Sequence, residues 1–106
     1  MFSRVVNATI RTDKLNEFKQ TLNTKFIPRL KQQPGFVDLV ESVDTQTGQF
    51  VCLSVWKTQQ DVDRYSTTLF QEIAQTLGPL MTEPPKVHSG RVENSTVHKV
   101  AAGQAA

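Results

Sequence analysis

The stretch Pro34-Gly35-Phe36-Val37-Asp38-Leu39-Val40-Glu41-Ser42-Val43, followed by Asp44-Thr45-Gln46-Thr47-Gly48-Gln49 and then Phe50-Val51-Cys52-Leu53-Ser54-Val55-Trp56, reads as two strands joined by a polar turn. Gly48 offers the positive φ that a hairpin loop of this length needs, and Pro34-Gly35 ends whatever helix precedes the first strand. Alternation puts Phe50, Cys52 and Trp56 on one face of the second strand and Val51, Leu53 and Val55 on the other. The first strand sets Phe36 and Val40 against Val37, Leu39 and Val43. Both faces of this hairpin are therefore largely apolar, whereas an antiparallel sheet with one wet face alternates more cleanly.

On the N-terminal side, Phe2 to Arg11 also alternates. Phe2, Val6, Ala8 and Ile10 share a face with Arg4, while Ser3, Val5, Asn7, Thr9 and Arg11 form a mixed face. Thr12 or Asp13 is placed to cap a helix running towards Gln33, with Leu15, Phe18, Leu22, Phe26 and Leu30 as its apolar stripe. Pro28 falls inside that stripe and must kink or split the helix. On the C-terminal side, Thr58-Gln59-Gln60-Asp61 matches a capping box. The helix it opens is interrupted at Ser66-Thr67-Thr68 and resumes through Leu69, Phe70, Ile73, Ala74 and Leu77 to Gly78-Pro79. Val87 to Val100 reads as a last, long strand, and residues 101–106 as a flexible tail too poor in hydrophobes to pack.

The order β-α-β-β-α-β predicts an α+β, ferredoxin-like domain over residues 1–100, built on a four-stranded antiparallel sheet. Its helices cover one face only, and the other is still apolar. Leaving it exposed is costly, so a second copy is expected to cover it in a two-fold homodimer. With 106 residues there is room for one core. A net charge of +2 without a basic stripe argues against a nucleic-acid partner, and nothing approaches membrane-spanning length. The single Cys52 excludes an intramolecular disulfide, and the expected compartment is reducing and cytoplasmic. Two distant histidines and one cysteine make no metal site, and the scattered glycines make no phosphate loop.

With Pro34-Gly35-Phe36 before the second strand, Val55-Trp56-Lys57-Thr58 closing the third and Gln59-Gln60-Asp61 opening a helix, the chain resembles the antibiotic biosynthesis monooxygenase family, a branch of the dimeric α+β barrel superfamily. The resemblance spans nearly all of residues 1–100. It implies cofactor-independent oxidation of a small anthrone- or quinol-like compound by O₂, with no metal or flavin. A related branch degrades haem through a first-strand Asn, a Trp in the second helical region and an iron-ligating His. Asn7 and Tyr65 stand at the first two places, but no His lies between Trp56 and Thr82.

A cofactor-free oxygenase has to acidify its substrate, stabilise an oxyanion and exclude water. The candidate catalytic residues are Asn7, Tyr65 and His88, with Trp56 and Arg91 as candidate substrate-binding residues. Each has a plainer reading: Asn7 as an interface polar group, Trp56 as core, Tyr65 and His88 as helix and surface residues, Arg91 as a partner of Glu93. His88 and His98, ten residues apart on one strand, would lie about 33 Å apart and could not share a pocket. The alternative function is a non-catalytic dimeric barrel that binds a small apolar ligand or serves a structural or stress-related role. An enclosed cavity with convergent polar groups separates the first reading from the second.

Overall fold

The computed structural model describes residues 1–100; the expected tail at 101–106 lies outside them. The hairpin forms as β2 (Phe36–Val43) and β3 (Gln49–Trp56). In its loop the Gln46 N–H donates to Asp44 Oδ1 at 2.9 Å, and the Gly48 N–H to the Asp44 carbonyl at 2.7 Å. Gly48 has φ +82°, and a Cβ there would strike the Ile10 carbonyl oxygen. Glycine is thus required both for its torsion and for the close approach. The Ile10 N–H closes the contact by donating to the Gly48 carbonyl at 2.8 Å.

β1 (Phe2–Thr9) pairs antiparallel with β3 on one side and with β4 (Lys86–Arg91) on the other, giving the strand order β2-β3-β1-β4. With the helices on one face, this is the ferredoxin-like arrangement expected from the chain order. As the alternation of β1 requires, Arg4, Val6, Ala8 and Ile10 are buried towards the helices and Asn7 is exposed on the other face. In β2 the simple alternation fails. A bulge between Phe36 and Asp38 resets the parity, so Leu39, Glu41 and Val43 come onto the helix side beside Ser54, Cys52 and Phe50, the face that Phe36 and Trp56 also share. Asp38 and Val40 go to the open side.

The expected side-chain cap at Thr12 or Asp13 is absent. The chain first makes a 3₁₀ turn (Thr12–Lys14), closed by the Lys14 N–H on the Arg11 carbonyl at 2.8 Å, and α1 (Leu15–Thr21) follows without a side-chain cap. Pro28 does split the helix. Having no N–H, it cannot serve the Thr24 carbonyl, and the turn ahead of it widens into a π turn (Leu22–Phe26) in which the Ile27 N–H reaches back to the Leu22 carbonyl. α2 (Ile27–Leu30) follows, with Pro28 in its first turn. The capping box holds: the Asp61 N–H donates to Thr58 Oγ1 at 3.1 Å and the Thr58 N–H to Asp61 Oδ2 at 3.2 Å, opening α3 (Gln59–Thr67). Thr68, at φ −119° and ψ −96°, breaks the chain before α4 (Leu69–Leu77).

The last strand is shorter than its sequence suggests. β1 begins at Phe2, which pairs with Arg91, and the last backbone bond between the two segments runs from the Val92 N–H to the Met1 carbonyl at 3.0 Å. The chain instead turns back, with a bridge between Ser95 and Val100, and lies against one end of the open sheet face. His98 Nε2 sits 3.3 Å from Asp38 Oδ2 there. His88 and His98 are therefore not on one strand. The core between sheet and helices is centred on Trp56, Phe18, Phe26, Ile10, Leu77 and Val62.

Candidate functional site

Between the sheet and the helical layer lies a pocket of about 40 Å³. Phe18, Leu22 and Phe26 wall it on the α1 side, Phe70 and Ile73 on the α4 side, and Phe50 forms part of its floor. Three polar side chains converge on it: Glu41 from β2, Cys52 from β3 and Tyr65 from α3. The period-two geometry of the sheet brings the first two together, since Glu41 and Cys52 are direct cross-strand partners facing the helices. A volume of this size admits a few water molecules at most. An aromatic ligand fits only if a wall moves, and one wall is the π turn with Leu22 and Phe26.

Behind the Tyr65 and Phe70 rings lies Arg4, only 3% exposed. Its guanidinium carbon is 3.8 Å from the Phe70 ring centroid and 5.4 Å from that of Tyr65, so the charge rests against aromatic faces. Arg4 Nε–H donates to Ser66 Oγ at 2.9 Å, while the Ser66 hydroxyl donates to the Val62 carbonyl at 2.7 Å. Among the described residues no carboxylate forms an ion pair with Arg4. Tyr65 also stacks on Trp56, with centroids 4.8 Å apart. Trp56 Nε1–H in turn donates to Ser54 Oγ at 2.9 Å. The Trp56 stack and the Arg4 contact together constrain the orientation of the Tyr65 ring.

Burial decides the protonation of these groups. It pushes the Cys52 thiol up to about 12, with the neighbouring Glu41 charge adding to the shift. Burial also raises the Tyr65 phenol well above its usual range, against the opposing pull of Arg4. Both remain neutral donors at physiological pH. Burial raises the Glu41 carboxyl too, partly offset by its hydrogen bond with Cys52. Burial lowers the Arg4 guanidinium, which still stays charged because its pKa starts so high. The pocket thus combines two neutral donors and one carboxyl that can change state, with a fixed cation behind its aromatic wall.

No protein-family model and no curated protein matches the chain. Solved structures do. A protein of Nitrosomonas europaea, provisionally named an antibiotic biosynthesis monooxygenase, superposes with a TM-score of 0.72 at 26% identity, over 89% of this chain and 100% of its own. A monooxygenase of Streptomyces coelicolor, solved in complex with nanaomycin D, superposes with a TM-score of 0.73 at 17% identity, over 89% and 88%. A conserved protein of Methanosarcina mazei does so with a TM-score of 0.72 at 20% identity, over 86% and 92%.

In fold, this chain is similar to proteins named antibiotic biosynthesis monooxygenases. Within that fold, the residues picked out from the sequence separate onto two faces. Tyr65 lines the helix-side pocket, and Trp56, fully buried, supports it from behind. Asn7 and His88 lie exposed on the opposite face. There Asn7 pairs with Lys86 and Val5 with His88, which makes Asn7 and His88 diagonal neighbours. Arg91 borders a separate groove of about 500 Å³ under the C-terminal turn, together with Asp38 and His98. Sequence reasoning missed Arg4 and Glu41. The signal for Arg4 was present, a lone cation on an otherwise apolar strand face; that for Glu41 was hidden by the bulge.

Proposed function

We propose that the helix-side pocket is the site of a cofactor-independent monooxygenase that oxidises a small anthrone- or quinol-like compound with O₂. The observation that carries this reading is the buried Arg4 charge, unpaired with any described carboxylate and set behind an aromatic pocket with convergent polar groups. An anthrone loses a methylene proton to a base, and the electron pair left behind delocalises onto the carbonyl oxygen. Tyr65, a neutral donor, is placed to hydrogen-bond that oxygen, and the Arg4 field favours its negative charge. The carbanion then forms a C–O bond to O₂, the proton returns to give a hydroperoxide, and loss of water leaves a new carbonyl. One O₂ is consumed and one water released, with the substrate as the sole reductant.

O₂ uptake with a panel of anthrones and hydroquinones, corrected for autoxidation, tests the proposal. Uptake above buffer that falls roughly 10-fold or more in Tyr65→Phe and in Arg4→Met supports it. Uptake unchanged in both variants removes the pocket from the chemistry. The smallness of the pocket and the Phe, Leu and Ile side chains around it favour a second reading, a non-catalytic dimeric barrel holding a small apolar ligand. Saturable ligand binding without O₂ uptake across the panel is its signature. Under either reading, the open sheet face is the proposed seat of a second copy of the chain.

A further inference from the structure

Four of the residues that wall the inner pocket also line an outer groove of about 170 Å³ between α1 and the β2–β3 hairpin: Phe18, Leu22, Glu41 and Phe50. Inner pocket and outer groove thus meet at a shared threshold. Two sides of that threshold are aromatic, one is Leu22 at the start of the π turn, and Glu41 is its carboxylate. Among the lining residues of the inner pocket Glu41 is the sole carboxylate, and the groove adds Lys19 from α1 at its outer end.

We propose that Glu41 is the general base of this pocket, that substrates enter past it through the groove beside α1, and that they are neutral aromatic keto–enol or phenolic acids which give it their proton. This rests on the pocket being the reactive site. A substrate threading this entrance presents its acidic C–H or O–H to Glu41 before its oxygen reaches Tyr65. The proton moves from carbon or oxygen to the carboxylate, the bonding pair stays on the substrate, and no oxidant takes part in this step. The other titratable groups around the pocket and groove cannot replace it. Cys52 on β3 and Tyr65 on α3 hold their protons at neutral pH, and Arg4 on β1 and Lys19 on α1 are cations. Burial lifts the Glu41 carboxyl, which makes its ionised form a stronger base. A ligand that is already an anion meets that carboxylate at the threshold and is disfavoured.

The test separates proton transfer from oxygenation. Anthrone is incubated with the protein in D₂O under strictly anaerobic conditions, and loss of its methylene ¹H signal is followed by NMR against a buffer blank. The wild type is expected to accelerate exchange, with a rate that climbs as pH rises through the ionisation of Glu41. Glu41→Gln, which keeps the shape, should lose roughly 100-fold or more of that acceleration together with its pH dependence. Glu41→Asp, with a shorter reach, should keep the pH dependence at a reduced rate. Exchange by Glu41→Gln at the wild-type rate, or no acceleration by the wild type, overturns the assignment. Exchange without O₂ uptake when air is admitted leaves Glu41 as the base and removes the oxygenase reading instead.

Discussion

Glu41 and Arg4 are a carboxylate and a cation that the fold buries without pairing them to each other, and each such burial opposes folding. For Glu41 the consequence can be read from pH. Burial raises its pKa in the folded state above the value of the unfolded chain, so the folded state binds that proton more tightly. The associated stability is fully present below the unfolded pKa of about 4.3 and is lost as pH rises through the folded pKa. Glutamine has no proton to lose. Glu41→Gln is therefore expected to melt with the wild type at acid pH and above it near neutrality. The gain is limited to about 1 kcal/mol, or roughly 5 °C, because the carboxyl is still partly screened by water. Thermal melts at several pH values check this. A neutral-pH melting temperature no higher than that of the wild type would mean that Glu41 makes a compensating interaction in its ionised form.

Among the elements, the β2–β3 hairpin carries both the fold and the site, because its register brings Glu41 opposite Cys52 and its loop is locked to the end of β1. Gly48→Ala tests that lock. The methyl group requires an unfavourable torsion at φ +82° and meets the Ile10 carbonyl, so the substitution is expected to cost about 2 kcal/mol, read from urea unfolding at unchanged m-value. A loss below a few tenths of a kcal/mol would show that the loop does not anchor the sheet. The glycine, the capping box at Thr58 and the break at Pro28 are local features, and each was readable from sequence because its cause lies within a few residues. The β2 bulge was not. Which of two consecutive residues is squeezed out depends on how β2 meets the twisted sheet, and that one-residue shift moved Leu39 and Glu41 onto the helix side. The length of β4 was also hidden, because its pairing partner, β1, lies some ninety residues earlier in the chain.

In the whole molecule, the sheet divides two candidate regions that the sequence had merged. On the helix side lie Tyr65, Glu41 and Cys52; on the open side lie Asn7 and His88 beside an apolar row. That row runs across the strands as Val40, Leu53 and Val5, in register, and ends at His88. Val40 is 58% exposed, although the C-terminal turn shelters the neighbouring row at Asp38 and Val55. A second copy related by a two-fold axis would set row against row and remove this surface from water. Val40→Asp places a charge, and its symmetry mate, at the middle of that contact, where burying it is prohibitive. Sedimentation is expected to give a dimer for the wild type and a monomer for Val40→Asp, with the helical circular dichroism unchanged. A monomeric wild type would reject the face-to-face dimer. The same variant also bears on chemistry. If reaction takes place in the helix-side pocket, the folded monomer retains anaerobic proton exchange, because no residue of that pocket comes from the open face. If it takes place between the sheets, at Asn7 and His88, breaking the dimer abolishes it.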